Sequence, residues 1–100
     1  MLQRSTNQSM RFTWDPKKAK SNLQKHGVAF EEAASVLKSD GFILLLQDLS
    51  GEEERFKAIG FSSKARFLVV IFCEQQGSEA RIISARKAEK QEENQWHRRR

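Results

Sequence analysis

A chain of 100 residues, 38% of them apolar, supports one domain around one core and is too short for two. Its formal charge of +5 is uneven: residues 11–26 and 81–100 carry +4 each, residues 27–80 carry −4, and Arg4 supplies the remainder. No stretch is apolar for long enough to span a bilayer, no signal peptide is visible, and one cysteine with two histidines supplies neither an internal disulfide nor a conventional structural zinc site, so a reduced, cytoplasmic protein without metal or cofactor is expected.

Residues 1–10 are polar and read as a disordered leader, with Met10 as an alternative start to Met1. Residues 11–14 (Arg-Phe-Thr-Trp) predict a short strand. Asp15-Pro16 then places an N-cap and a first-turn proline at the head of a helix running to His26, where Gly27 stops it; Lys25 and His26 lie at its negative dipole end. Lys18, Asn22 and Lys25 fall at i, i+4, i+7 on one face of that helix, either solvated or turned toward phosphate. A second helix over 30–38 carries the apolar stripe Phe30, Ala33, Ala34 and Leu37. Strands follow over 42–46 and 55–61, joined by a turn with Ser50-Gly51 and the acidic run Glu52-Glu53-Glu54. The almost wholly apolar stretch 65–73 predicts a central strand buried on both faces, with Cys73 inert inside it. A hairpin turn at 75–78 leads into a strand over 79–85, and a polar helix spans 88–97 before the basic tail 98–100. The order β-α-α-β-β-β-β-α, with four successive strands on short loops, implies an α+β domain over 11–97 whose antiparallel sheet is covered by helices on one face.

Several of these segments carry a family pattern. Phe12-x-Trp14-Asp15, Asn22-x-x-Lys25-His26-Gly27-Val28-x-Phe30-Glu31-Glu32-Ala33, Arg55-x-x-x-Ile59-Gly60, Leu68-Val69-Val70 and Arg81-Ile82-Ile83-Ser84-Ala85-Arg86-Lys87-Ala88 occur in the order seen in the BrnT toxins of bacterial type II toxin–antitoxin systems, which the chain resembles over residues 11–97. The resemblance implies a RelE-like compact fold and a metal-independent endoribonuclease that inhibits translation. It also implies neutralisation by a BrnA antitoxin, with a 2:2 hetero-oligomer as the expected assembly and DNA engaged only through that antitoxin. Trp96 stands where the family often has tyrosine, and Ala29 replaces a small polar residue, removing an N-cap worth about 1 kcal/mol.

Metal-free RNA cleavage needs a group to take the proton of the 2′-hydroxyl, cations around the phosphorane, and an acid or cation for the departing 5′-oxygen. Arg55, Arg81 and Arg86 are the candidate charge-stabilising residues, because the guanidinium fork matches phosphate; each also reads as a surface ion pair. Strand parity puts Arg81 and Arg86 on opposite faces unless Arg86 lies beyond the strand, at the start of the last helix, where it is expected. His26 is the one residue of the matched motifs whose side-chain type titrates near neutrality, hence a candidate general acid or base, or else a helix cap. Lys18, Lys25 and Lys87 are candidate RNA contacts. Trp14 is either a base-stacking ring or a ring packed under the first helix. Glu52–Glu54 offer carboxylates for a base, or only a solvated turn, and His97 reads as solvated. A non-catalytic basic module that binds RNA or protein with the same fold is the alternative.

Overall fold

The computed structural model describes residues 10–48, 54–75 and 78–99. The expected leader (except Met10), the turn at 50–54 (except Glu54) and part of the 75–78 hairpin lie outside them. Strand β1 (Arg11–Thr13) precedes helices α1 (Pro16–His26) and α2 (Phe30–Lys38); strands β2 (Ile43–Asp48), β3 (Arg55–Phe61), β4 (Phe67–Gln75) and β5 (Glu79–Lys87) follow, then helix α3 (Lys90–His97).

Local chemistry fixes the helix ends. The Asp15 carboxylate accepts the Lys17 amide at 2.9 Å, Pro16 begins α1, and Gly27, left-handed at φ +70°, closes it by donating its N–H to the Leu23 carbonyl at 2.9 Å. Helix α2 starts at Ala29 with no side-chain cap, as the sequence predicts. Its buried row is Phe30, Ala33, Ala34 and Val36, with Leu37 only partly covered. Glu32 is also buried. Its carboxylate accepts bonds from Ser62 Oγ (2.6 Å) and from Arg66 Nε (2.9 Å) and Nη2, and Arg66 Nη2 also donates to the Gly27 carbonyl at 3.1 Å. Bonding to Arg66, against the cost of burial, keeps the Glu32 carboxyl below the usual carboxylate range. The β3–β4 turn is thereby tied to the junction of α1 and α2.

The sheet order is β1-β5-β4-β3-β2. Strands β2 to β5 are antiparallel as expected, but β1 joins parallel to β5, with Arg11 opposite Glu79, so the sheet is mixed. Alternation along the strands sorts the residues into two faces. Ala58, Leu68, Val70, Phe72, Ala80, Ile82 and Ala85 meet Val28, Phe30, Ala33, Ala34 and Val36 in the main core. Gly60 shares that side, and a Cβ there would lie 2.8 Å from Phe42 Cβ. The other face carries Arg55, Lys57, Ile59 and Phe61 of β3 and Phe67, Val69, Ile71 and Cys73 of β4. Helix α3 packs on this second face, contrary to the one-sided arrangement the sequence suggests: Lys57 reaches Glu92, and Trp96 packs on Phe61 and Phe67. The Trp96 indole N–H donates to the Gly41 carbonyl at 2.7 Å, which anchors the end of α3.

Candidate active site

On β5, Arg81 stands opposite Cys73 and Arg86 opposite Val69. Cys73 and Val69 share a face of β4, so the two arginines project from the same side, although simple alternation would separate residues at odd spacing. A bulge reconciles the two. Ser84 pairs with Ile71 and Ile82 with Phe72, leaving Ile83 as one extra residue on β5. Arg86 therefore lies inside the strand and not at the start of the last helix, as the sequence suggested; β5 runs to Lys87 and α3 begins at Lys90.

The neighbouring strands add charge to this face. Lys57 stands opposite Ile71, which is itself opposite Ser84, and Arg55 lies two residues earlier on the same side of β3. One carboxylate gathers part of the set. Glu92 of α3, with only 6% of its side chain exposed, accepts Arg86 Nη1 at 2.8 Å, Arg86 Nη2 at 2.7 Å and Lys57 Nζ at 2.9 Å. The Glu89 amide also donates to it at 2.8 Å, half of a reciprocal capping box at the head of α3. The bidentate Arg86 fork outweighs burial and holds the Glu92 carboxyl down to about 2.

Helix α1 supplies the flank of the site. Buried Asn22 uses its amide as a short strand: Nδ2 donates to the Ala85 carbonyl at 2.8 Å and Oδ1 accepts the Ala85 N–H at 3.1 Å, while Nδ2 also reaches the Val28 carbonyl at 2.9 Å. This satisfies the edge of β5 past the end of short β1, which pairs with Glu79–Arg81 only. With α1 docked there, Lys18, Ser21, Lys25 and His26 line a hollow of about 180 Å³ together with Ile83 and Ser84, the residues between the two arginines.

Six of the eight residues singled out in the sequence thus lie on one sheet face or its rim: Arg55 on β3, Arg81 and Arg86 on β5, and His26, Lys18 and Lys25 along the α1 edge of β5. Lys87 and Trp14 stand apart. Lys87 is opposite Leu68, on the side of the strand that faces the main core, and is exposed. The Trp14 ring packs edge-on against Phe30 with centroids 5.9 Å apart. Lys57 and Glu92 were not singled out, and Asn22, expected to be solvated or turned toward phosphate with Lys18 and Lys25, is instead buried against the Ala85 and Val28 backbone. The Arg55-x-Lys57 alternation and the Glu89-x-x-Glu92 spacing were the signals available for the first two.

A family profile described as "Ribonuclease toxin, BrnT, of type II toxin-antitoxin system" matches residues 14–92. The chain belongs to the BrnT family. The solved structure of the Brucella abortus ribonuclease toxin BrnT is similar at 25% identity and a TM-score of 0.66, covering 81% of this chain and 99% of that one. No curated protein matches. Membership in a BrnT family of ribonuclease toxins from toxin–antitoxin systems implies an RNA substrate and an antitoxin partner, and the cationic face built on β5 has the charge for a polyanion.

Proposed function

We propose that this BrnT chain is a metal-independent endoribonuclease whose cleavage of RNA inhibits translation in the cytoplasm, and that the RNA's own 2′-hydroxyl is the nucleophile. The observation carrying this reading is the convergence of Arg55, Lys57, Arg81 and Arg86 on one sheet face, with His26 across the hollow beside Ser84. In the reaction the 2′-oxygen bonds to phosphorus as the bond to the 5′-oxygen breaks. A proton leaves the 2′-hydroxyl and another reaches the departing oxygen, and the products are a 2′,3′-cyclic phosphate and a 5′-hydroxyl. Negative charge gathers on the phosphorane, where strand-held guanidinium groups are aimed in advance. His26 is the side chain suited to moving a proton. Glu92 is too weak a base for that step with its carboxyl held near 2; its work is to aim Arg86 and Lys57.

The chain should cut RNA in EDTA, leave DNA intact and yield 2′,3′-cyclic phosphate ends. Loss of cleavage in chelator, or undiminished cleavage after 2′-deoxy substitution at the scissile nucleotide, would overturn the mechanism. RNA binding without any cleavage would favour the non-catalytic module. The proposal extends to the partner: a BrnA-type antitoxin carrying acidic and apolar residues covers the basic face and excludes RNA, in a 2:2 assembly that engages DNA through the antitoxin alone. Electrostatic steering makes its association fast and salt-sensitive. Light scattering of the co-expressed pair tests the assembly, and a complex that cleaves RNA at the free toxin's rate would refute occlusion.

A further inference from the structure

The face that carries the cations ends in a cluster of rings that the chemistry above leaves unused. Phe61, the last residue of β3, stacks on Phe67 with centroids 4.0 Å apart and planes inclined by 20°. Trp96 meets both rings edge-on, at 5.4 Å from Phe61 and 5.0 Å from Phe67. The Arg99 guanidinium lies over the Trp96 ring, 3.4 Å from its centroid. Anchoring of α3 explains Phe67 and Trp96, because Trp96 is held by the Gly41 carbonyl and wedged against the sheet. It does not explain Phe61, which is 44% exposed at the strand end.

The surroundings indicate what would cover that ring. Phe61 shares its side of β3 with Lys57, and Phe67 lies two residues along β4 from Val69, the partner of Arg86. Two residues of strand span roughly 7 Å, so one nucleotide step separates the aromatic row from the arginine row. Arg99, stacked on Trp96, adds an exposed cation beside the rings. An apolar partner would match the ring and leave these charges without complement. A single-stranded polynucleotide matches both, since every base has a π-face and every linkage a negative charge.

We propose that Phe61, backed by Phe67 and Trp96, is a stacking platform for an unpaired nucleobase of the RNA whose phosphate sits on the arginine face. The inference rests on the ribonuclease reading and adds to it how the strand is held and why it must be unpaired there. The rings are already fixed by the sheet and by α3, so binding orders little besides the base.

The test uses the whole chain and a 2′-O-methyl RNA oligonucleotide, which resists attack by a 2′-hydroxyl, with anisotropy as the readout. Phe61→Ala should weaken binding roughly 5- to 100-fold, the range for removal of one stacking ring. Phe61→Trp should bind as tightly as the wild type, and Phe61→Leu, apolar but without a ring face, should lose affinity as the alanine variant does. An oligonucleotide scanned with single abasic sites should show one position whose loss weakens the wild type but not Phe61→Ala, a coupling that a mere folding defect would not produce. A wild type that binds no RNA would remove the ribonuclease reading and the platform together. A wild type that binds, with Phe61→Ala or Phe61→Leu equally tight, would overturn the platform alone. So would a Phe61→Ala variant that keeps RNA affinity but no longer holds the antitoxin, because that outcome makes the ring a protein-docking residue.

Discussion

Arg81 and Arg86 project from the same face of β5 because the bulge at Ile83 supplies the odd residue that strand alternation lacks. Both therefore lie on the face assigned to the RNA phosphate, with the Arg86 fork held there by Glu92. Arg81→Ala, Arg86→Ala and Arg55→Ala should each slow RNA cleavage roughly a hundred- to a thousand-fold, the usual consequence of removing a positioned donor from developing charge. Single-turnover cleavage measures this, and circular dichroism checks the fold. Arg86→Lys keeps the charge but not the fork and should recover only part of the rate. Unchanged turnover in all three alanine variants would place the chemistry elsewhere.

His26 separates two roles. It occupies the last turn of α1, where a cation is favoured, and it also lines the hollow beside Ser84. As a proton-transfer group its loss should cost on the order of a hundredfold or more in cleavage rate. As a helix-end residue alone, it should cost under about 1 kcal/mol of stability with cleavage retained. Measuring both quantities on His26→Ala decides between them.

The clamp on Glu92 makes stability depend on acid. Its carboxyl is held from 4.5 down to about 2 in the folded chain, so the stabilisation is complete above about 4.5 and drains away as the pH falls toward 2. Its size is on the order of 3 kcal/mol. Glu32, lowered for the same kind of reason, contributes with the same sign, so the Glu92 share is read from a difference. Urea unfolding of the wild type and of Glu92→Gln should differ most near neutrality and converge toward pH 2. A constant gap across that range would show that Glu92 is not held by its charge.

Legibility in the sequence followed the range of the interactions. Helix α1 was readable end to end because Asp15, Pro16 and Gly27 act on their immediate neighbours, and buried β4 was readable because nothing but a central strand accommodates Leu68 to Cys73. The parallel pairing of β1 with β5 was not, since it joins Arg11 to Glu79 across nearly the whole chain. The bulge was hidden for a chemical reason: Ile83 is a strong strand former and carries none of the glycine signals that mark such irregularities. Without the bulge, parity argued for an Arg86 outside β5. The Glu92 clamp was missed because its acid and its two bases sit on three separate elements, and only folding shows that they meet.

Asn22 converts a helix side chain into a piece of sheet edge, and its loss should be costly. Asn22→Ala strips partners from the Ala85 amide and carbonyl and from the Val28 carbonyl, each bonded at 2.8–3.1 Å in the native fold. Leaving such groups unsatisfied should cost about 2–4 kcal/mol in all. Asn22→Asp keeps the shape but turns a carboxylate toward two carbonyl oxygens, so it should be no milder. Thermal or urea unfolding measures both, and hydrogen exchange should show early loss of protection at Ala85.

Two glycines offer a contrast between packing and backbone strain. At Gly60 an added methyl would lie 2.8 Å from Phe42 Cβ, 3.1 Å from Phe42 Cα and 3.3 Å from Val36 Cγ1, so backbone as well as side chain must shift. Gly60→Ala should cost about 1–3 kcal/mol, as overpacking does. At Gly27 nothing lies within 4 Å of the added Cβ, but φ is +70°. Gly27→Ala should cost about 1–2 kcal/mol through conformation alone, and Gly27→Asn less, because asparagine tolerates the left-handed region better. Gly60 lies on the core side of β3, away from the cations, so its alanine variant should lose thermal stability while each folded molecule cleaves RNA at the wild-type rate. A rate that fell with Gly60→Ala at temperatures where the chain stays folded would mean that Lys57 and its neighbours depend on the exact seating of β3 against Phe42.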